Sequence, residues 1–133
     1  MNQVTMERNM DIIRRILIGL EKQRSFVGYD VNFDDCDPET IKYHLYLLYQ
    51  AGLIECTVSE SEWGPREGKP SVTAINPWAI TWEGQEFLAS ARNDKVWSKA
   101  KEDIKEKGRK LADIPFSILT ALLVAILKEN LGV

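Results

Sequence analysis

The five residues Gln50-Ala51-Gly52-Leu53-Ile54 constrain this chain more than any other stretch. An amphipathic run ends there. In TIKYHLYLLYQ, the residues Ile41, Leu45 and Leu48 share one helical face, widened by Leu47 and the tyrosines. A glycine just past such a run predicts a left-handed residue after the helix, a conformation glycine adopts without steric cost. Two apolar residues then return the chain to a core. The start of the helix is equally marked: Asp37 suits an N-cap, Pro38 the first helical position, and Glu39 the positive end of the helix dipole. The pattern predicts a helix over 38–51 and a sharp exit at Gly52.

The flanking segments follow from the same signals. Ile13, Ile16, Leu17 and Leu20 predict a helix near residues 10–23, with Arg14, Arg15, Glu21 and Lys22 mostly on its polar side. Phe26, Val27, Tyr29 and Val31 predict a short strand over Ser25–Val31. After Gly52, strands are expected over Leu53–Ser59 and Ser71–Thr81, joined by the turn-rich ESEWGPREGKP into a hairpin. Asn76-Pro77 is expected to interrupt the second strand or keep it at an edge. Thr81 can cap a helix over about 82–92, Asn93-Asp94 can start one over about 94–107 closed by Gly108, and a last helix runs from about Pro115 to Leu131.

Helix, strand, helix, Gly-Leu-Ile, hairpin, helix is an order that resembles the winged-helix fold. The stretch Ala79-Ile80-Thr81-Trp82-Glu83-Gly84-Gln85-Glu86-Phe87-Leu88 resembles the Leu-Thr-x-x-Gly segment that follows the wing in many winged-helix regulators. The expected class is α+β and mostly helical: a truncated helix-turn-helix plus a hairpin wing over residues 1–92, and a helical extension over 93–133, packed on it or forming a dimer interface. The truncation follows from length, since only Asn32–Asp37 is available for the helix that normally precedes the recognition helix.

A narrower resemblance rests on Met10–Leu17, Tyr43–Ile54, Thr81–Leu88 and Ala91–Trp97. These stretches are similar to a family of uncharacterised phage and prophage proteins, domain of unknown function 2513. The similarity extends over most of the chain, the apolar C-terminal helix included. It implies a bacterial or phage setting and a winged-helix-like core, and no activity.

Charge decides how the candidate sites are read. Residues 30–62 carry eight acids against the single base Lys42, whereas residues 94–110 carry seven bases against four acids. The resemblance to winged-helix regulators puts a DNA-associated transcriptional regulator first, and it would use Lys42, His44, Tyr46 and Gln50 on the recognition helix, with Arg66 and Lys69 on the wing. Phosphate contacts need several Lys or Arg residues, and this helix has one. The alternative is a protein-interaction module acting on a host factor, with Tyr43, Tyr49 and Trp63 as aromatic anchors. The basic stretch Lys95–Lys110 reads as a solvated helix with pairs such as Lys99–Asp103.

Catalysis finds no footing in the sequence, and no enzyme is expected. His44 has no partner at a spacing that makes a general base, Cys36 and Cys56 have no activating neighbours, and Gly64-x-x-x-Gly68 lacks the Lys-Ser ending of a phosphate loop. Two cysteines and one histidine at unrelated spacings predict no metal site, and no cofactor is expected. The polar start, without an apolar core to a leader, points to the cytoplasm. The apolar run in the last helix spans about 14 residues, short of the roughly 20 that cross a bilayer. A buried helix is expected instead, with Phe116, Leu119, Leu122, Leu123, Ile126 and Leu127 pairing with a second copy in a homodimer.

Overall fold

A computed structural model of the chain describes residues 6–23, 26, 28–61 and 70–133. Helix α1 (Met10–Glu21) opens on Asn9, whose side-chain oxygen accepts from the amides of Asp11 and Ile12. It buries Met10, Ile13, Ile16, Leu17 and Leu20. Helix α2 (Pro38–Gln50) opens on Asp37, which accepts from the Glu39 amide at 2.8 Å. Strands β1 (Ile54–Ser61) and β2 (Ser71–Ile80) form an antiparallel hairpin with Ile54 opposite Ile80 and Val58 opposite Ile75. Helices α3 (Trp82–Ala91), α4 (Asp94–Glu106) and α5 (Phe116–Leu131) follow. A 3₁₀ turn at Leu111–Asp113, which the sequence patterns do not mark, links the last two.

The exit from α2 is fixed by backbone contacts. Gly52 has φ +74°, the Leu53 amide donates to Leu48 O at 2.9 Å and the Gly52 amide to Tyr49 O at 3.1 Å, which closes the helix in a Schellman turn. The far end of the hairpin returns to the same place. The Thr81 amide donates to Leu53 O at 3.1 Å, and its hydroxyl donates to Gly52 O at 2.6 Å while accepting from the Gly84 amide at 3.1 Å. One threonine therefore caps α3 and ties it to the end of α2. Gly84 is packed against that junction: a Cβ there would lie 2.3 Å from Leu53 O and 2.5 Å from Ile80 Cγ2.

One expectation fails between α1 and α2. Residues 28–31 are not a strand. Tyr29 donates its amide to Pro77 O at 2.8 Å. An antiparallel hydrogen-bonded pair exchanges two such bonds, and Pro77 has no N–H to give back, so pairing stops at one. Ser25 and Val27 lie outside the described residues. In keeping with the expected truncation, residues 32–37 form no helix; residues 33–36 make a turn, with the Cys36 amide donating to Phe33 O at 3.2 Å.

The core is one contiguous cluster from Met10 to Ile126. Phe87 sits near its middle, edge-on to Trp97 at 6.4 Å between centroids and tilted against Phe116 at 5.2 Å. Arg14, expected on the polar side of α1, is instead folded inward. It donates to Ala91 O at 2.6 Å and Arg92 O at 3.0 Å, satisfying the last carbonyls of α3, and lies 5.4 Å from the Trp97 ring. Trp97 in turn donates to Asp11 at 2.8 Å.

The junction predicts a ranking of glycine substitutions. Gly84→Ala forces a methyl into backbone and should lower the unfolding free energy by about 3 kcal/mol. Gly52→Ala meets nothing within 4 Å and pays only the left-handed φ, about 1 kcal/mol. Urea midpoints of the two variants check this; the reverse order would contradict the packing described.

Candidate partner-binding face

Helix α2 buries Ile41, His44, Leu45 and Leu48 and turns its other side to a groove shared with β2. The groove has a volume of 510 Å³, and Met6, Lys42, Tyr43, Tyr46, Leu47 and Val72 line it, with Gln50 at one end. Its walls are mostly apolar, because tyrosine rings and Leu47 are presented at the i, i+3, i+4 spacing that puts them on one side of the helix. The Tyr43 hydroxyl donates to Met6 O at 3.0 Å, so residue 6 is held against the face. Tyr49, 45% exposed, lies beside the groove with its ring 6.1 Å from that of Tyr46.

The charges around this face are acidic. Asp34, Asp35, Asp37 and Glu39 are exposed at the N-terminal end of α2. Lys42, the helix's single base, pairs with Glu39 at 2.8 Å. Arg15 bonds Asp35 and holds its carboxyl below the usual carboxylate range. The positive end of α2 thus points toward carboxylates, which repel phosphate.

The structure sorts the expected site residues. It brings Lys42, Tyr43, Tyr46 and Gln50 to one groove, with Tyr49 adjacent. Trp63, Arg66 and Lys69 lie outside the described residues. His44 is withdrawn as a DNA contact: it is 1% exposed, its Nε2 accepts from the Asn9 amide at 2.8 Å, and its Nδ1 faces Thr40 O at 2.7 Å. It falls on the inner stripe with Ile41 and Leu48, at the i+3 and i−4 positions of one face. Burial pushes its pKa below the usual histidine value. The thiols of Cys36 and Cys56 are both pushed up by burial, then by Asp35 and Glu55 respectively, and so stay protonated at neutral pH.

The C-terminal helix needs a second correction. Leu119, Leu123 and Ile126 are buried within the chain's own core, and Phe116, Leu122 and Leu127 pack partly against it. Leu119, Leu123 and Ile126 are therefore taken up by the chain's own core rather than offered to a second copy, whereas Phe116, Leu122 and Leu127 are half-buried. The outward side of α5 carries other residues, Ile118, Val124 and Leu131, at 59%, 40% and 67% exposure.

Sequence reasoning missed Met6 and Val72, which reach the groove only through tertiary packing. It also missed a second aromatic contact, where exposed Phe26 stands edge-on to Trp78 at 6.4 Å. The basic stretch on α4 is exposed as expected, with Lys99 paired to Asp103 at 2.9 Å and Lys101 to Asp11 at 3.0 Å.

Comparison with known proteins supplies lineage without chemistry. The model of a family described as "Hypothetical protein (DUF2513)" matches residues 7–110. That match ends before α5, so the resemblance does not extend to the C-terminal helix as expected. A protein of Haemophilus influenzae described as "Uncharacterized protein" is 38% identical over 109 residues, spanning 80% of this chain and 86% of its own length. No solved structure matches.

The internal placement of His44 predicts unequal costs along one helix. His44→Ala strands the Asn9 amide and opens a cavity, and should cost about 2–3 kcal/mol. Gln50→Ala should stay within about 0.5 kcal/mol. Equal small effects in urea unfolding would contradict the placement.

Proposed function

We propose that this chain, which belongs to the DUF2513 family of hypothetical proteins, acts by binding a protein partner through the groove between α2 and β2. The reading takes the core as winged-helix in type, with α2 in the recognition position and the hairpin as wing, and takes the setting as bacterial or phage cytoplasm with a host protein as partner. One observation carries it: the face that would meet DNA is a mostly apolar, tyrosine-rich groove whose single base is already paired with Glu39. Tyrosine and leucine at such a face suit a protein interface, since their burial supplies affinity without charge.

A DNA-associated regulator is the second reading. It is favoured by the order of α2, a left-handed Gly52 and the hairpin, and by the exposed bases of α4. Charge weighs against it at α2, because duplex binding draws on several unpaired cations.

The test compares the two on the same samples. Wild-type protein should retard no duplex DNA at about 50 mM salt. It should capture a defined protein from bacterial lysate, and a Tyr46→Glu, Gln50→Glu variant with unchanged unfolding midpoint should lose that capture. Retardation of duplex DNA by the wild type that falls steeply with salt, with no protein captured, would overturn the proposal.

We also place self-association on the outward side of α5, where Ile118 and Val124 leave apolar surface uncovered. Light scattering at micromolar concentration should give twice the chain mass of 15.2 kDa, and Val124→Glu should return it to the single-chain value. A clean monomer for the wild type would reject this pairing.

A further inference from the structure

We propose that Met6–Arg8 is a detachable strap at the partner groove, hinged at Asn9, the cap of α1, latched to α2 by His44 and released when His44 takes up a proton. The inference rests on the groove reading above and concerns the regulation of that site. Met6 forms one wall of the groove. Three hydrogen bonds hold its segment: Tyr43 OH to Met6 O at 3.0 Å, Arg8 Nη2 to Ile114 O at 2.8 Å, and the Asn9 amide to His44 Nε2 at 2.8 Å.

The last bond fixes the protonation state of the ring. Nε2 accepts from an N–H, so the proton of the neutral imidazole sits on Nδ1 and is donated to Thr40 O at 2.7 Å. A second proton can go only to Nε2. It would then confront the Asn9 N–H, two donors with no acceptor between them, while the bond to Thr40 survives. The ring cannot retreat, because α2 is packed on the core through Ile41, Leu45 and Leu48. The strap can, since Met6 is 80% exposed and Glu7 is exposed as well.

A cavity of 390 Å³ beside the ring gives it room. The charged groups bordering that cavity are Glu7 and Arg8 from the strap and Asp11 from α1. From α2, Tyr43 packs edge-on against the imidazole at 5.5 Å, and from the 3₁₀ turn only Leu111 and Ala112 line the space. Burial is the largest influence on the docked ring and favours its neutral form. A released strap leaves the ring closer to water and to its ordinary value near 6.5. Docking is therefore fully present above about pH 6.5 and is lost as pH falls below it.

Amide hydrogen exchange on the free, full chain tests this, read as protection relative to the intrinsic rate at each pH. Between about pH 7.5 and about pH 5, protection at Asn9 should fall at least about tenfold while core amides of α3 and α4 keep theirs. His44→Gln offers a carboxamide oxygen to the same amide and does not titrate, so its Asn9 protection should not change with pH. Unchanged Asn9 protection in the wild type, or loss of Asn9 and core protection together, overturns the proposal. Should the Gln variant not fold, the wild-type His44 ring and the Asn9 amide resonance must titrate with one midpoint, and separate midpoints overturn it. No partner is present in these measurements, so their failure leaves the groove reading standing, and failure of the capture experiment leaves the strap standing.

Discussion

The carbonyl of Leu53 is the contact on which the rest of this structure depends. It accepts the Thr81 amide at 3.1 Å and lies where a side chain on Gly84 would have to go. Through it, the end of α2, the open end of the hairpin and the first turn of α3 meet at one point. The two glycines there do different work. Gly52 provides a backbone conformation, and Gly84 provides an absence of atoms. With that point fixed, the hairpin cannot slide on α2, and the groove between them has a defined width. The orientation of α3 then sets where α4 and α5 close the core around Phe87 and Leu119.

Signals confined to a few neighbouring residues were legible in the sequence. Asp37-Pro38, Gly52, Thr81, Asn93 and Gly108 mark real helix ends, because caps and left-handed glycines act within a turn of themselves. What failed depended on distant partners. The expected strand at 25–31 had the right residues, but its neighbour on β2 is a proline. Arg14 looked solvated until the end of α3 and the start of α4 brought three acceptors to it. His44 was read as polar and therefore outward, although its position in the helix places it with Ile41 and Leu48. On α5 the apolar residues fall on more than one face, so periodicity could not distinguish the side that the chain covers from the side it leaves open. The groove was half legible: six of its residues lie on one helix, while Met6, Ser71 and Val72 come from elsewhere.

Electrostatics and shape agree on what the face of α2 is suited to. A phosphate-binding helix presents amides and bases at its N-terminal end, whereas this one presents Asp34, Asp37 and Glu39. Its apolar, aromatic middle resembles the centre of a protein interface, where burial of a few large side chains supplies most of the affinity. Membership of a family of hypothetical proteins adds no chemistry to that argument, so the weight rests on residues of this chain.

A photo-reactive amino acid placed at Gln50, compared with the same residue at Lys105 on α4, tests that claim most directly in living bacteria. The groove account predicts a protein adduct of one discrete mass from position 50 and none from position 105. A nucleic-acid adduct at position 50, or adducts formed only from position 105, would contradict it.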